Sequence, residues 1–287
     1  MNEKKQSGRL MLIGSMAIFG TIGILRKYIP LSSSLVALAR AVVGTLFLLA
    51  VLLIKGRKAD YAGWKRNLIP LLLSGGALGF NWIALFESYN HTSVATATLC
   101  YYLAPVIVIL VSPLVLKEKL TGRKLVCAAV ALAGMALVSG IFEAGSSIAD
   151  WKGILFGLVA AALYASVVLL NKKISNLAAY DKTIFQLAVS TATLLPYVLL
   201  TENPEAISLS GPVLALLLVA GIVHTGIAYC LYFGSMASLP AQTVALYSYI
   251  DPILAIVLSM VILHEPMTLA SGIGAVMILG AALVSEQ

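Results

Sequence analysis

The stretch YLAPVIVILVSPLVLKEKLT, from Tyr102 to Thr121, is repeated about half a chain later as YIDPILAIVLSMVILHEPMT, from Tyr249 to Thr268. Seven positions are identical at a single offset of 147 residues, and they include one proline and one glutamate. Matches between apolar residues arise easily in a hydrophobic chain, whereas a matched proline and a matched glutamate do not. The two stretches therefore indicate an internal duplication, which predicts a fold built from two related halves.

The composition of the chain is that of a membrane protein. Of its 287 residues, 60% are hydrophobic and only 11% are charged, and the mean hydropathy is +0.99. A soluble domain could not bury so much apolar surface, so we expect lipid to be its solvent. The net charge of +7 does not indicate nucleic-acid binding, because the charges fall in short loops between hydrophobic runs. The three cysteines lie within apolar runs, which argues against a disulfide framework.

Windows of about 20 apolar residues, the length that crosses a bilayer, predict an all-α fold with ten transmembrane helices. The predicted spans are 9–27, 34–54, 67–87, 93–116, 123–141, 153–171, 181–200, 212–233, 241–263 and 267–285. The first resembles a signal peptide, but no small-residue cleavage site follows it, and Arg26 and Lys27 end the run. We therefore expect it to be retained as the first span.

Lysine and arginine residues predict the orientation of the spans. With the N-terminus inside, fifteen of these residues fall on the cytoplasmic side and three on the opposite side, while Arg40 lies within a span. This distribution follows the positive-inside rule. We expect a multi-pass protein of the cytoplasmic (inner) membrane with both termini in the cytoplasm.

The duplication extends beyond the opening pair and divides the chain into two domains, 9–141 and 153–285. At the same offset Gly79 matches Gly226, and after the loss of one residue Gly134 matches Gly280. Each half holds five spans, and because five is odd, the second half must be inverted relative to the first. Inverted repeats of this kind usually serve alternating access to a central site.

Two turn motifs identify the family that the chain resembles. The motif Leu-x-Glu-x-x-Thr closes the fourth span at 116–121 and the ninth at 263–268, and each copy precedes a glycine-rich span. Ten spans arranged as five plus five with these turns resemble the drug/metabolite transporter superfamily and, more narrowly, its EamA-type ten-helix exporters. Arg40, near the start of the second span, also matches a tendency of that family. The resemblance implies a central cavity that moves a small organic solute, without identifying the solute.

Two ionisable residues inside spans are candidates for substrate binding, because such residues are rare and costly in a membrane. Asp251, directly before Pro252, could bind a cationic group or a proton, or it could satisfy backbone donors freed by the proline. Arg40 could hold a substrate carboxylate, pair with an acidic side chain or reach the membrane surface. If Arg40 and Asp251 face each other, the pair would suit a zwitterionic amino acid. The two halves differ here, since Ala104 matches Asp251 and Gln186 lies roughly where Arg40 does.

Further candidates are polar and aromatic residues at mid-depth. His224 could relay protons or could be a hydrogen-bonded core residue. Tyr102 and Tyr249, three residues before their prolines, are expected to line the cavity. The other predicted cavity residues are Asn81, Trp82 and Tyr229, and the alternative for such aromatic residues is a belt at the membrane surface.

Two matched pairs have expected structural roles. Pro105 and Pro252 should break the fourth and ninth helices at corresponding places, which is a strong sequence pointer to a transport site. Glu118 and Glu265 occupy the turn motifs, where we expect each to cap the following helix, with a part in gating as the alternative.

The function that these observations predict is secondary transport, most plainly the export of an amino acid or related metabolite by alternating access. The alternatives are a multidrug or amine exporter with proton antiport and, in a different class, a membrane channel. An enzyme is not expected, because Pro266 interrupts the zinc-helix pattern begun by His264 and Glu265, and no nucleophile elbow or phosphate-binding loop is present in the sequence. We expect no cofactor, metal or nucleic acid, only the bilayer and a small-molecule substrate, in a monomer or weak dimer.

Overall fold

The described part of the chain is helical. The computed structural model describes residues 2–91, 100–138, 151–203, 209–263 and 269–284, and these residues contain no β-strand. The first five spans correspond to helices Asn2–Gly20 with Ile22–Lys27, Ser33–Ile54, Leu68–His91, Ala104–Leu116 and Gly122–Val138. The second five correspond to Trp151–Lys173, Ala179–Thr201, Gly211–Ser235, Ala241–Tyr247 with Ile250–Leu263, and Leu269–Val284. A short helix, Tyr61–Arg66, precedes the third span.

The helices are apolar on the outside and carry polar residues inside, as expected of a protein surrounded by lipid. Five of the described helices are long and apolar enough to cross a membrane: Ser33–Ile54, Leu68–Ser88, Trp151–Lys173, Ala179–Thr201 and Gly211–Ser235. Large aliphatic side chains such as Leu53, Leu114 and Leu200 are exposed, whereas Asn81, Gln186 and Gln242 are buried. The fold is therefore an all-α membrane protein, as the sequence predicts.

Helix pairings repeat between the two halves, with the roles of the halves exchanged. The third span packs on the sixth and seventh, and the eighth packs correspondingly on the first and second. The fourth packs on the sixth, just as the ninth packs on the first, while the fifth and tenth pack on each other. This exchange of partners is what two inverted five-helix repeats produce, and it places the interface between halves at the centre of the molecule.

Matched glycines allow these helices to approach closely. A methyl group added at Gly79 would lie 3.2 Å from Cβ of Thr193 in the seventh span, and one added at Gly226 would lie 2.8 Å from the Phe47 ring in the second. At the contact of the fifth and tenth spans, a methyl group on Gly134 would lie 2.7 Å from the carbonyl oxygen of Gly274. Small residues at these positions permit the backbone contact that stabilises helix pairs in lipid.

Among the described residues, the first, eighth and ninth spans contain interruptions of the helix, and residues 102 and 103 form a turn in the fourth. The first helix stops at Gly20 and resumes at Ile22, and the ninth stops at Tyr247 and resumes at Ile250. In the eighth span, residues Ile222–Ile227 form a π-helical turn between two α-helical parts. Irregular turns of this kind place side chains and backbone groups where a regular helix would not, and they often mark functional sites.

Candidate functional site

A cluster of aromatic rings fills the interface between the two halves. We call it the aromatic cluster, and its members are Phe19, Trp82, Tyr101, Tyr102, Tyr164, Tyr229, Tyr232 and Tyr249. They come from the first, third, fourth, sixth, eighth and ninth spans, so both halves contribute. Ring centroids of contacting pairs lie 5.0 to 6.5 Å apart, the spacing of favourable edge-to-face and offset contacts.

Arg40 lies against this cluster and is almost fully buried, with 9% of its surface exposed. Its Nε–H donates a hydrogen bond to Oγ1 of Thr225 over 3.1 Å, and its guanidinium carbon lies 5.2 Å from the centre of the Trp82 ring. Among the described residues, no acidic oxygen lies within ion-pair distance of the guanidinium, and its other N–H groups have no hydrogen-bond partner. A buried cation stabilised only by a hydroxyl and a ring retains donors for an anionic ligand.

Asp251 is a second ionisable residue beside the aromatic cluster, and among the described residues it forms no ion pair with Arg40. It occupies the first turn of the helix Ile250–Leu263 and is only partly buried. The Tyr102 side chain lies within hydrogen-bonding reach of its carboxylate. Arg40 and Asp251 are both close enough to the Tyr229 hydroxyl to influence it electrostatically, but they form no ion pair with each other among the described residues. The two residues therefore form no direct ion pair in this conformation. This is compatible with the hypothesis from the sequence that one ligand contacts both charges.

The π-helical turn of the eighth span holds Arg40 through one hydrogen bond and contacts the first span through another. Thr225 donates its hydroxyl hydrogen to the carbonyl of Ala220, five residues earlier, and accepts the bond from Arg40. His224, one residue before, bonds Oγ1 of Thr21 through Nε2 over 2.8 Å, at the interruption of the first helix. His224 is buried and also contacts the carbonyl of Val219. These contacts favour a structural role for His224 over a proton relay.

Asn81 is close to the cluster but is engaged with the backbone. Its Nδ2 donates to the carbonyl of Ala160 in the sixth span over 2.7 Å, and the residue is 1% exposed. Asn81 therefore joins the third span to the sixth. Tyr249 is similarly buried, and its hydroxyl donates to the carbonyl oxygen of Tyr102 over 2.8 Å. This bond links the fourth and ninth spans at their irregular turns.

A chain of hydroxyl groups crosses the cluster from the sixth span to the ninth. Oη of Tyr164 lies 2.6 Å from Oη of Tyr232 and 3.3 Å from Oγ of Ser248. Ser248 lies in the two-residue turn that interrupts the ninth helix. The cluster therefore combines apolar ring surface with a few polar anchors, as small-molecule sites do.

Pro105 and Pro252 lie in the first turns of helices that follow these irregular turns. Residues 102 and 103 form a turn before the helix Ala104–Leu116, and residues 248 and 249 form one before Ile250–Leu263. Proline is tolerated in a first helical turn, where its missing N–H would have no partner in any case. Both prolines are buried next to the aromatic cluster.

The expectation that Glu118 caps the helix following it is wrong. Its carboxylate oxygens accept the backbone N–H groups of Ala241, over 2.8 Å, and of Gln242, over 3.4 Å. Glu118 thus caps the helix Ala241–Tyr247 in the other half of the molecule, because the fourth and ninth spans meet at this end. The following helix is capped instead by Thr121, whose hydroxyl accepts the N–H of Lys124. Glu265 lies outside the described residues.

The structure therefore divides the predicted site residues into two groups. It brings Arg40, Trp82 and Tyr229 together, and it groups Asp251 with Tyr102 and Tyr249. Sequence reasoning missed Thr225, which holds Arg40. The only sequence signal for it was its place beside His224 in an otherwise apolar span.

The comparisons with known proteins agree with this architecture. The model of the EamA-like transporter family matches the chain twice, over residues 6–140 and 151–286. The uncharacterized transporter YxxF of Bacillus subtilis is 33% identical over 279 residues, covering 96% of this chain and 88% of that protein. Protein PecM of Dickeya dadantii is 28% identical, covering 83% and 79%, and protein RarD of Streptomyces exfoliatus is 25% identical, covering 92% and 83%. The chain belongs to the EamA-like transporter family, within the drug/metabolite transporter superfamily.

A solved crystal structure shares the fold. It superimposes with a TM-score of 0.84 over 98% of this chain and 96% of its own, at 21% sequence identity. At this identity the likeness shows the fold alone. The protein is thus a multi-pass membrane transporter of a ten-helix, two-repeat family, as the turn motifs predict.

Proposed function

We propose that this protein is a secondary transporter that exports an amino acid or a related small metabolite by alternating access. The observation that carries this proposal is the buried Arg40 cation beside the aromatic cluster, without an acidic partner among the described residues. Burying an uncompensated charge is costly, so such a residue is retained where a ligand supplies the opposite charge. A substrate carboxylate matches the fork of donors that Arg40 leaves unused.

Asp251 supplies the second anchor in this proposal. A substrate with an ammonium group could place it near the Asp251 carboxylate while its carboxylate reaches Arg40, with Tyr229 near both charges. The rings of the cluster would contact the remaining, largely apolar part of the substrate. The two halves, 9–141 and 153–285, then rock around this site, which opens it to one side of the membrane at a time.

The orientation and the transport unit belong to the same proposal. We place the lysine-rich end and both termini in the cytoplasm, because fifteen of the cationic residues lie at that end. Each half provides a part of the site, so one chain contains a complete transport path. We therefore propose a monomer, or a weak dimer of independent units, in the cytoplasmic membrane.

Counterflow in proteoliposomes tests the proposal. Vesicles preloaded with unlabelled amino acids should accumulate the corresponding labelled amino acid, and the initial rate should saturate with concentration. Parallel assays with amines, purines and sugar phosphates define the class. The Arg40→Gln variant should lose counterflow, while Arg57→Gln, which removes an exposed loop cation, should retain it. Normal counterflow in Arg40→Gln would sink the proposal, and conductance without saturation would indicate a channel.

An amine exporter with proton antiport is the second candidate, favoured by one observation. Asp251 lies among tyrosine rings, and carboxylates with aromatic rings are common partners of organic cations. In that case a pH gradient should drive accumulation of a labelled amine, Asp251→Asn should abolish it, and Arg40→Gln should leave it intact. The opposite responses of the two variants separate the candidates.

A further inference from the structure

The lysine-rich end of the molecule carries a group of polar contacts between the two halves. We call this group the latch, and it consists of Ser112, Glu118, Lys124, Ala241 and Gln242. Residues Ser112, Glu118 and Lys124 come from the first half, at the end of the fourth span and the start of the fifth. Ala241 and Gln242 begin the ninth span, in the second half.

Glu118 is the charged element of the latch. Its two oxygens accept the first two N–H groups of the helix Ala241–Tyr247, which have no partner inside that helix. A carboxylate at a helix N-terminus also interacts favourably with the helix dipole. Hydrogen bonds to an ionised acceptor are stronger than neutral ones, so Glu118 is the main contact holding the ninth span here.

Gln242 adds side-chain contacts to both neighbouring elements of the first half. Its Oε1 accepts a hydrogen bond from Nζ of Lys124 over 2.6 Å, and its Nε2 donates to Oγ of Ser112 over 2.6 Å. Gln242 and Ser112 are fully buried, with 0% of their surface exposed. Lys172 fixes the preceding loop by donating to the carbonyls of Met236 and Leu239. The start of the ninth span is therefore bonded from several sides.

The inverted repeat makes this end and the opposite end comparable in sequence. Glu118 corresponds to Glu265 and Ser112 to Ser259, so both ends retain the glutamate and the serine. Gln242, however, corresponds to Ala95, and Lys124 corresponds to Ala270. The sequence thus provides the glutamine and lysine contacts at the lysine-rich end only.

We propose that Glu118, assisted by Gln242, is the gating residue that closes the lysine-rich end of the transport path. This inference rests on the proposed alternating-access function. When the halves rock apart at this end, the N–H groups of Ala241 and Gln242 separate from Glu118, and the path opens toward the cytoplasm. Since the opposite end lacks the equivalents of Gln242 and Lys124, the conformation closed at the lysine-rich end is the favoured resting state.

Thiol labelling without any substrate tests this proposal. In a background with Cys100, Cys127 and Cys230 replaced by serine, Ala245→Cys places a thiol one turn beyond the latch, at a position that is 1% exposed. A water-soluble maleimide should react slowly with this thiol. Adding Glu118→Ala should raise the labelling rate about tenfold or more, because a charge-assisted contact is lost. Gln242→Ala should raise it by a smaller factor.

Matched controls keep the test decisive. Glu3→Ala removes an exposed glutamate of the first helix and should leave the labelling rate unchanged. Glu118→Gln retains an acceptor and should give an intermediate rate, and it replaces Glu118→Ala if that variant does not elute as a single species. Unchanged labelling in both the Glu118 and Gln242 variants would overturn the latch.

A cross-link provides an independent readout. The Lys119→Cys/Pro240→Cys pair, at exposed positions next to Glu118 and Ala241, should be joined efficiently by a short bismaleimide, and Glu118→Ala should lower the yield. Neither measurement requires a transported solute. If Glu118→Ala raises the labelling rate but the wild-type protein shows no amino-acid counterflow, the result counts against the proposed function alone. If labelling is unchanged in the latch variants but counterflow is normal, the result counts against the gating role alone.

Discussion

Arg40 and Gln186 occupy roughly corresponding positions in the two halves, and their surroundings show how the halves have diverged. Gln186 is fully buried and donates to the hydroxyl of Ser74 in the third span, which joins the seventh span to the third. Arg40 makes the corresponding contact to Thr225 in the eighth span, but it adds a full charge and a ring contact with Trp82. One interface holds two helices together with neutral groups. The other adds a buried charged group, which in the proposed function binds the substrate.

The largest expected difference between these interfaces is in transport. Arg40→Leu should lower the counterflow rate about 100-fold, because the charged hydrogen bonds to a substrate anion are lost. Gln186→Leu should keep the rate within about fivefold, since that residue contacts only a neighbouring helix. The comparison of initial rates in proteoliposomes at equal protein content measures this. Equal losses in both variants would mean that Arg40 also acts only through packing.

The next effect concerns the glycine that lets the second and eighth spans meet. A methyl group at Gly221 would lie 2.4 Å from Cβ of Val43, so Gly221→Ala should destabilise the protein by about 1–3 kcal/mol. Gly76→Ala is the matched control, because the position beside that glycine is open and alanine favours the helix. Thermal unfolding in detergent, followed by circular dichroism, should show a lower Tm for the first variant only. A lowered Tm in both would point to a general intolerance of alanine at helix glycines.

The smallest effect tests how the π-helical turn orients Arg40. Thr225→Val removes the hydroxyl that accepts the Arg40 bond and should raise the KM for a carboxylate-bearing substrate about fivefold, with little change in Tm. Thr225→Ser keeps the hydroxyl and should restore the wild-type KM. A loss of stability in Thr225→Val without a change in KM would assign Thr225 to the fold alone.

Much of the fold could be predicted from the sequence, because hydrophobic length and an internal repeat are strong signals in membrane proteins. The ten spans, the two halves and the family follow from apolar windows and from the turns at Glu118 and Glu265. Arg40 was recognisable as a candidate because ionisable residues inside spans are rare. The partner of Glu118 was not predictable, because it comes from a helix more than a hundred residues later, whose position depends on how the halves pack.

The remaining details depend on local backbone geometry that tertiary packing decides. The π-helical turn at Ile222–Ile227 changes which residues share a helix face, so Thr225 and His224 reach partners in different spans. No hydrophobic period in the eighth span signals this turn. Whether Arg40 and Asp251 form an ion pair likewise depends on how the second and ninth spans pack, which a comparison of corresponding positions does not reveal.

The contact of Gly134 with Gly274 has a practical consequence for following the transport cycle. In the proposed alternating-access cycle the two halves exchange conformations, and this exchange converts the fifth and tenth spans into each other, so their contact should be the same before and after the exchange. We expect the contact between the fifth and tenth spans to remain fixed while the other spans move. Fluorophores attached to these two spans should keep a constant separation during turnover, and distances measured from them to the ninth span would then report the motion directly.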